Sequence, residues 1–227
     1  MTIQRMRSAA RGKDVDLVLV TPEGVAAAGL PVVLALHGRG ANARTFLDLG
    51  LPAVLTEAVR SGVPPFAVAA VDGDHYWVAT DPADDPQKML TDELPGWLAQ
   101  VDLKPPSAAF GISMGGFGAL RYARDRGLKA VATASAALFV SWSDAKARKV
   151  FRDETQWRDH EPLLHTAALR ATPTGIWCGT SDPFITAARK YRQAATPEVV
   201  ELSAGAHTEK YWTRVLPEIL TFTGTRA

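Results

Sequence analysis

The stretch Ala108-Ala109-Phe110-Gly111-Ile112-Ser113-Met114-Gly115-Gly116-Phe117-Gly118-Ala119-Leu120 decides the fold. Residues 108–112 are an apolar run of strand length, and residues 115–126 carry a helical pattern. Between the two, Gly111-Ile112-Ser113-Met114-Gly115 fits G-x-S-x-G. In that setting Ser113 occupies a strained strand-to-helix turn, and a Cβ at either flanking glycine would clash with the turn. The hydroxyl then projects above the strand ends, where the helix N-terminus offers unpaired N–H groups to a developing oxyanion. The pattern alone is weak; the strand before it and the helix after it give it weight. The competing reading is a βα turn whose small residues serve only close packing.

Further apolar runs of strand length lie at residues 15–20, 31–36, 66–71, 130–134, 175–178 and 199–202. Helical patterns fall between them, near residues 51–60, 87–101, 183–195 and 208–222, the last with a kink expected at Pro217. This βαβα alternation predicts an α/β fold, a mostly parallel central sheet with helices on both faces. With no internal repeat and no low-complexity linker, residues 1–227 read as one domain. Residues 138–171 interrupt the rhythm with two helical stretches, 144–151 and 155–168. They form a short helical excursion in place of a large lid, either a cover for a site or a long surface connection.

A serine nucleophile needs a base, and the base an orienting acid. The run 175–178 leads into Gly179-Thr180-Ser181-Asp182-Pro183-Phe184, which sets Asp182 at a strand end just before a helix. The run 199–202 leads into Ser203-Ala204-Gly205-Ala206-His207, which sets His207 in the same place one strand later. Taken singly, Asp182 could cap the helix that Pro183 begins, and His207 could simply open the next helix. The order Ser, Asp, His favours a triad. Upstream, His37-Gly38-Arg39-Gly40 follows a strand as HGxG loops that build oxyanion holes do. The N–H of Arg39, or of Gly40, would then join that of Met114. The same residues open Gly38-Arg39-Gly40-Ala41-Asn42-Ala43, a G-x-G-x-x-A dinucleotide fingerprint with Asp72 where a ribose-binding acid belongs. That rival leaves the later Ser, Asp and His unexplained.

His75, Tyr76, Trp77, Phe139, Trp142 and Phe184 are the expected substrate walls, with His75 alternatively a plain loop residue. His160 and His165 are five apart, about 140° around a helix, so they do not share a metal as i, i+4 histidines do. No metal and no cofactor are expected. Lys and Arg total 25 against 24 Asp and Glu, a net charge of +1, which gives no basic field for nucleic acid. The single cysteine, Cys178, lies in an apolar run, reads as buried and inert, and can form no internal disulfide. Residues 1–11 carry positive charge without an apolar region behind them, so no signal peptide is read and a cytoplasmic location is expected. The charge-free apolar stretch at residues 130–143 is short of the roughly 20 residues that span a bilayer, so no membrane span is expected. Oligomeric state is not encoded in these patterns.

The chain resembles the α/β-hydrolase superfamily, and within it the esterase branch that includes esterase D (S-formylglutathione hydrolase) and the mycobacterial antigen 85 proteins. The likeness lies in His37 to Gly40, Asp72 to Trp77, Gly111 to Gly116, Gly179 to Phe184, and Gly205-Ala206-His207 followed by Tyr211-Trp212. It implies an α/β-hydrolase fold over roughly residues 15–224, with Ser113 as nucleophile, His207 as base, Asp182 as acid, and Arg39 and Met114 as oxyanion donors. The expected activity is that of a serine esterase on a small-molecule ester, without cofactor, passing through an acyl-enzyme. A thioesterase or acyltransferase would use the same residues, and a non-catalytic binding module on this scaffold is the alternative from another class. Arg39 adds charge at the mouth of the site, read either as a solvated side chain or as a selector of anionic or polar substrates.

Overall fold

Strands buried on both faces must be apolar at every position, as Val32–Leu36 and Ala67–Val71 are. Val32, Leu34 and Leu36 enter one apolar layer while Val33 and Ala35 enter the other. The computed structural model describes residues 1–227. Eight strands, β1 (Thr2–Ser8), β2 (Lys13–Val20), β3 (Val32–Leu36), β4 (Ala67–Val71), β5 (Pro106–Ile112), β6 (Ala130–Ala134), β7 (Thr174–Gly179) and β8 (Val199–Ser203), form one sheet. Their order is β1-β2-β4-β3-β5-β6-β7-β8, parallel from β4 to β8 and antiparallel at β1 and β2.

The helices in chain order are α1 (Thr45–Asp48), α2 (Leu51–Arg60), α3 (Pro86–Lys88), α4 (Leu94–Ala99), α5 (Met114–Arg126), α6 (Trp142–Lys146), α7 (Glu154–His160), α8 (Ile185–Ala195) and α9 (Glu209–Gly224). Leu51 and Leu55 of α2 and Val215 and Ile219 of α9 cover the sheet face that holds Val33. Leu94 of α4, Phe117 of α5 and Tyr191 of α8 cover the face that holds Leu34. Pro217 lies inside α9 without ending it.

Strand β1 departs from the sequence expectation, as does the strict alternation, since β1, β2 and β3 follow one another with no helix between. β1 is an exposed edge strand with little apolar pattern. Its pairing is written in charge: Arg5 faces Asp16 and Arg7 faces Asp14, with ion pairs of 3.0 and 3.3 Å. The single helix expected at 87–101 is instead α3, a π-helical turn at Met89–Glu93, and α4. Pro95 supplies no N–H for the preceding turn, and the wider turn accommodates it.

Within residues 138–171 the two helices are shorter than expected. Ser141 and Asp153 cap α6 and α7 by accepting N–H bonds from Asp144 and Gln156. Pro162 and 3₁₀ turns at Pro162–Leu164 and Thr166–Leu169 replace the end of the second stretch. Buried Glu161 ties the segment to itself: its carboxylate accepts from Phe139 N (3.1 Å), Trp157 Nε1 (3.1 Å) and Leu163 N (3.2 Å). Burial pushes its pKa up to about 8, against the pull of those three donors.

Candidate active site

The turn after β5 is closed by backbone contact. A Cβ on Gly111 would lie 2.0 Å from the carbonyl oxygen of Gly115, and one on Gly115 would lie 1.8 Å from that of Leu36. Only glycine fits at either position. Ser113 itself takes φ 55° and ψ −116°, a strained conformation for an L-residue. The strain is held by the sheet: Ser113 N donates to Ala134 O at 2.9 Å, and Ser113 O accepts from Ala137 N at 3.0 Å.

Because β5 to β8 run parallel, their C-terminal ends share one rim, and the loops after β5, β7 and β8 bring three side chains together. Ser113 Oγ lies 2.9 Å from His207 Nε2, and His207 Nδ1 lies 2.9 Å from Asp182 Oδ2. Asp182 has no proton to give, so Nδ1–H donates to it and Nε2 is left to accept from the serine hydroxyl. Burial opposes the ionisation of Asp182, but hydrogen bonds from His207, Phe184 N and Ser135 outweigh it and hold its pKa below the usual carboxylate value. The Phe184 and Trp212 rings stand 5.3 and 5.1 Å from the imidazole and fix its plane.

Ser135 and Trp212 complete this scaffold, and sequence reasoning assigned neither of them a role. Ser135 directly follows β6 with φ 55°, helps to lower the pKa of Asp182, and accepts from Trp212 Nε1 at 3.1 Å. Its one signal in sequence is its place at a strand end on the same rim.

The loop after β3 passes over the elbow so closely that a Cβ on Gly38 would touch that of Ser113 at 3.4 Å. Arg39 N makes no intramolecular hydrogen bond, and Met114 N belongs to the unpaired first turn of α5. His37 fastens this loop. Its Nε2 accepts from Gly73 N at 2.9 Å, so its Nδ1–H donates to Gly38 O at 2.8 Å. Burial depresses the His37 pKa and keeps this neutral tautomer. Asp72, the acid of the dinucleotide reading, is occupied by backbone: it accepts from Asp16 N and Ala43 N, both at 2.9 Å.

His75, Tyr76 and Trp77 have φ of 49°, 57° and 58°, a left-handed turn that sends successive side chains in different directions. Tyr76 reaches the cavity of about 280 Å³ that also holds Ser113, His207 and Phe184. His75 is exposed on an adjoining cavity with Arg39 and Met114. Trp77 does not form a substrate wall. It is fully buried, packs where Gly73 and Gly118 leave room, and meets the His37 ring edge-on at 5.5 Å. Trp142 is also misplaced by the sequence reading, since its ring packs on Trp157 at 6.2 Å and does not line the cavity that holds Ser113 and His207. Phe139 sits behind Phe184, 6.2 Å away, and borders a neighbouring cavity instead. Cys178 is buried, and desolvation pushes its thiol up to about 12.

The burial of Trp77 sets an expected outcome. Trp77→Ala should cost about 3–5 kcal/mol of stability, as large-to-small changes in a packed core do. It should also slow turnover by loosening His37 and the loop it holds. Chemical denaturation and initial rates on one ester measure both; a variant of wild-type stability with only a weakened KM would return Trp77 to the substrate wall.

The sheet order, the elbow after β5 and the rim of loops define an α/β hydrolase. The chain belongs to the "Putative esterase" family, which it matches over residues 8–223. Among solved structures it is similar to an S-formylglutathione hydrolase from Agrobacterium tumefaciens, with TM-score 0.83 and 17% identity over 99% of this chain and 94% of that one. It is also similar to MPT51 (FbpC1) of Mycobacterium tuberculosis, with TM-score 0.79 and 18% identity over 100% of each chain. A third is the feruloyl esterase AmCE1/Fae1A of Anaeromyces mucronatus, with TM-score 0.73 and 17% identity over 99% of this chain and 91% of that one. At these identities the likeness speaks for the fold. No curated protein matches the chain. No helix is long and apolar enough to cross a membrane.

Proposed function

We propose that the protein is a serine esterase that hydrolyses small carboxylic esters through an acyl-enzyme. The observation that carries this reading is the chain of two 2.9 Å hydrogen bonds from Ser113 through His207 to Asp182, opening into a cavity. Ser113 Oγ attacks the ester carbonyl while its proton passes to His207 Nε2; Asp182 stabilises the imidazolium that forms. The N–H groups of Arg39 and Met114 receive the oxyanion. His207 then protonates the leaving alcohol, and a water activated by the same nitrogen releases the acid. No step needs a metal or cofactor. Labelling by a fluorophosphonate tests the reading directly: wild type should label and Ser113→Ala should not. Equal labelling of the two would refute it.

Asp182→Asn should lower kcat by about 10³–10⁴-fold, less than loss of either partner, because an amide holds the ring but favours the wrong tautomer. Full activity in this variant, measured on a p-nitrophenyl ester, would transfer the acid's role to another carboxylate.

Acyl size follows from the cavity. A volume of about 280 Å³ bordered by Tyr76 and Phe184 shelters only a few methylenes, each worth about 0.8 kcal/mol, before a chain reaches water. In a p-nitrophenyl ester series kcat/KM should peak at about C2 to C6 and fall beyond, with no jump at the micellar transition. An optimum at long chains, or interfacial activation, would mean that residues 138–171 move as a lid.

A further inference from the structure

The cavity beside Ser113 and His207 is lined by two guanidiniums, those of Arg39 and Arg148, and by no carboxylate. Arg148 lies just beyond α6, within the excursion that sequence reasoning left without a chemical role. It is half-buried, and its guanidinium carbon stands 5.2 Å from the Phe184 ring centroid and 5.9 Å from that of Phe139. Aromatic faces hold it there, not an acid. Arg39, which lines the same cavity, is exposed, and neither side chain takes part in a hydrogen bond or an ion pair.

The acids around them are engaged elsewhere. Asp74 pairs with Arg11 and Lys13, Asp144 accepts from Ser141, Glu161 accepts its three N–H bonds, and Asp182 lies under His207. Arg39, Arg148 and Tyr76 together line both this cavity and the adjoining one, where Asp74 also lies. The chemistry of ester cleavage explains neither side chain, because the oxyanion is held by main-chain N–H groups. Two guanidinium forks lining one cavity without an internal partner suit an anionic oxygen pair.

Building on the hydrolase reading above, we propose that Arg39 and Arg148 select esters that bear a carboxylate a few bonds from the scissile carbonyl. The guanidiniums grip the carboxylate while Ser113 faces the carbonyl. Arg148 is then a specificity-determining residue supplied by the excursion over residues 138–171, which acts as one wall of the site.

Two matched substrate pairs test this at neutral pH. The first compares the mono-p-nitrophenyl ester of adipic acid with its terminal carboxamide counterpart; the second compares p-acetoxybenzoate with p-acetoxybenzamide. They place the charge on the acyl and alcohol sides. For wild type, kcat/KM for the carboxylate should exceed that for the carboxamide by about tenfold in at least one pair, as expected for charge-assisted contacts at a half-exposed site. That ratio should drop severalfold in Arg148→Gln and in Arg39→Gln. In wild type it should also shrink as salt is raised, because exposed charges are screened. A ratio near one in both pairs would overturn the proposal, as would a ratio untouched by either substitution or, should the variants not fold, one insensitive to salt in wild type. Failure to cleave even the carboxamides, together with no fluorophosphonate labelling of Ser113, would overturn the hydrolase reading itself. Cleavage of both members without preference would remove only the role of the two arginines.

Discussion

Ser113→Ala is expected to lower kcat by about 10⁵-fold or more while leaving the fold and its thermal stability nearly unchanged. The two effects separate because of where the oxygen sits. Ser113 Oγ has a single partner, His207 Nε2, and faces the cavity, so its removal opens no hole in either apolar layer. The strained backbone at φ 55° is held by hydrogen bonds of the main chain and by glycine contacts, all of which alanine keeps. A change in stability within about 1 kcal/mol should result. The unpaired N–H groups near Arg39 and Met114 also remain, so the variant should still bind ester and retain a residual acceleration over water, about 10³-fold from the oxyanion hole and binding alone. Initial rates on p-nitrophenyl acetate beside a thermal unfolding curve decide the matter. A folded variant with wild-type rates would remove Ser113 from the chemistry.

The central strands were legible because burial on both faces leaves a near-continuous apolar run, and residues 108–112 and 130–134 read as strands from that alone. The elbow was legible because a Cβ on Gly115 or Gly111 would fall 1.8 or 2.0 Å from a backbone oxygen, and the glycine this forces is visible in the sequence. Asp182 and His207 could be placed at strand ends, since a parallel sheet delivers every such end to one rim.

What sequence reasoning missed depends on partners far away in the chain. β1 is held by its antiparallel ladder on β2, and the placing of Arg5 and Arg7 opposite Asp16 and Asp14 appears only once the register is known. In sequence Trp77 follows His75 and Tyr76 on the correct rim, which points it at the substrate. Three left-handed residues in a row turn it inward, and the space it fills is made by Gly118, on a different element. Arg148 looks like any helix-end arginine until Phe139 and Phe184 are seen beneath it. Ser135 gains its meaning from Asp182 and Trp212, neither of which is near it in sequence.

His207→Ala should cost about as much as Ser113→Ala, and the double variant should be hardly worse than either single one, because triad members act as a unit and their losses do not add. Within the proposed mechanism, the surroundings of the five histidines favour this one as the base. His37 has both ring nitrogens engaged, with Gly73 N and Gly38 O, and its pKa is depressed by burial, so it has neither a free acceptor nor the basicity for the task. His75 lies on the adjoining cavity beside Asp74. His160 is held down to about 4 by burial, and His165 bonds the carbonyl of Arg158. Only His207 reaches Ser113 Oγ while its other nitrogen is fixed by a buried carboxylate. Removing the imidazole leaves Asp182 with its bonds from Phe184 N and Ser135, so the loop should persist and the variant should fold. The decisive measurement is the set of four kcat values for wild type, the two single variants and the double. If the single losses multiplied in the double variant, Ser113 and His207 would be acting independently and the proton relay between them would have to be abandoned.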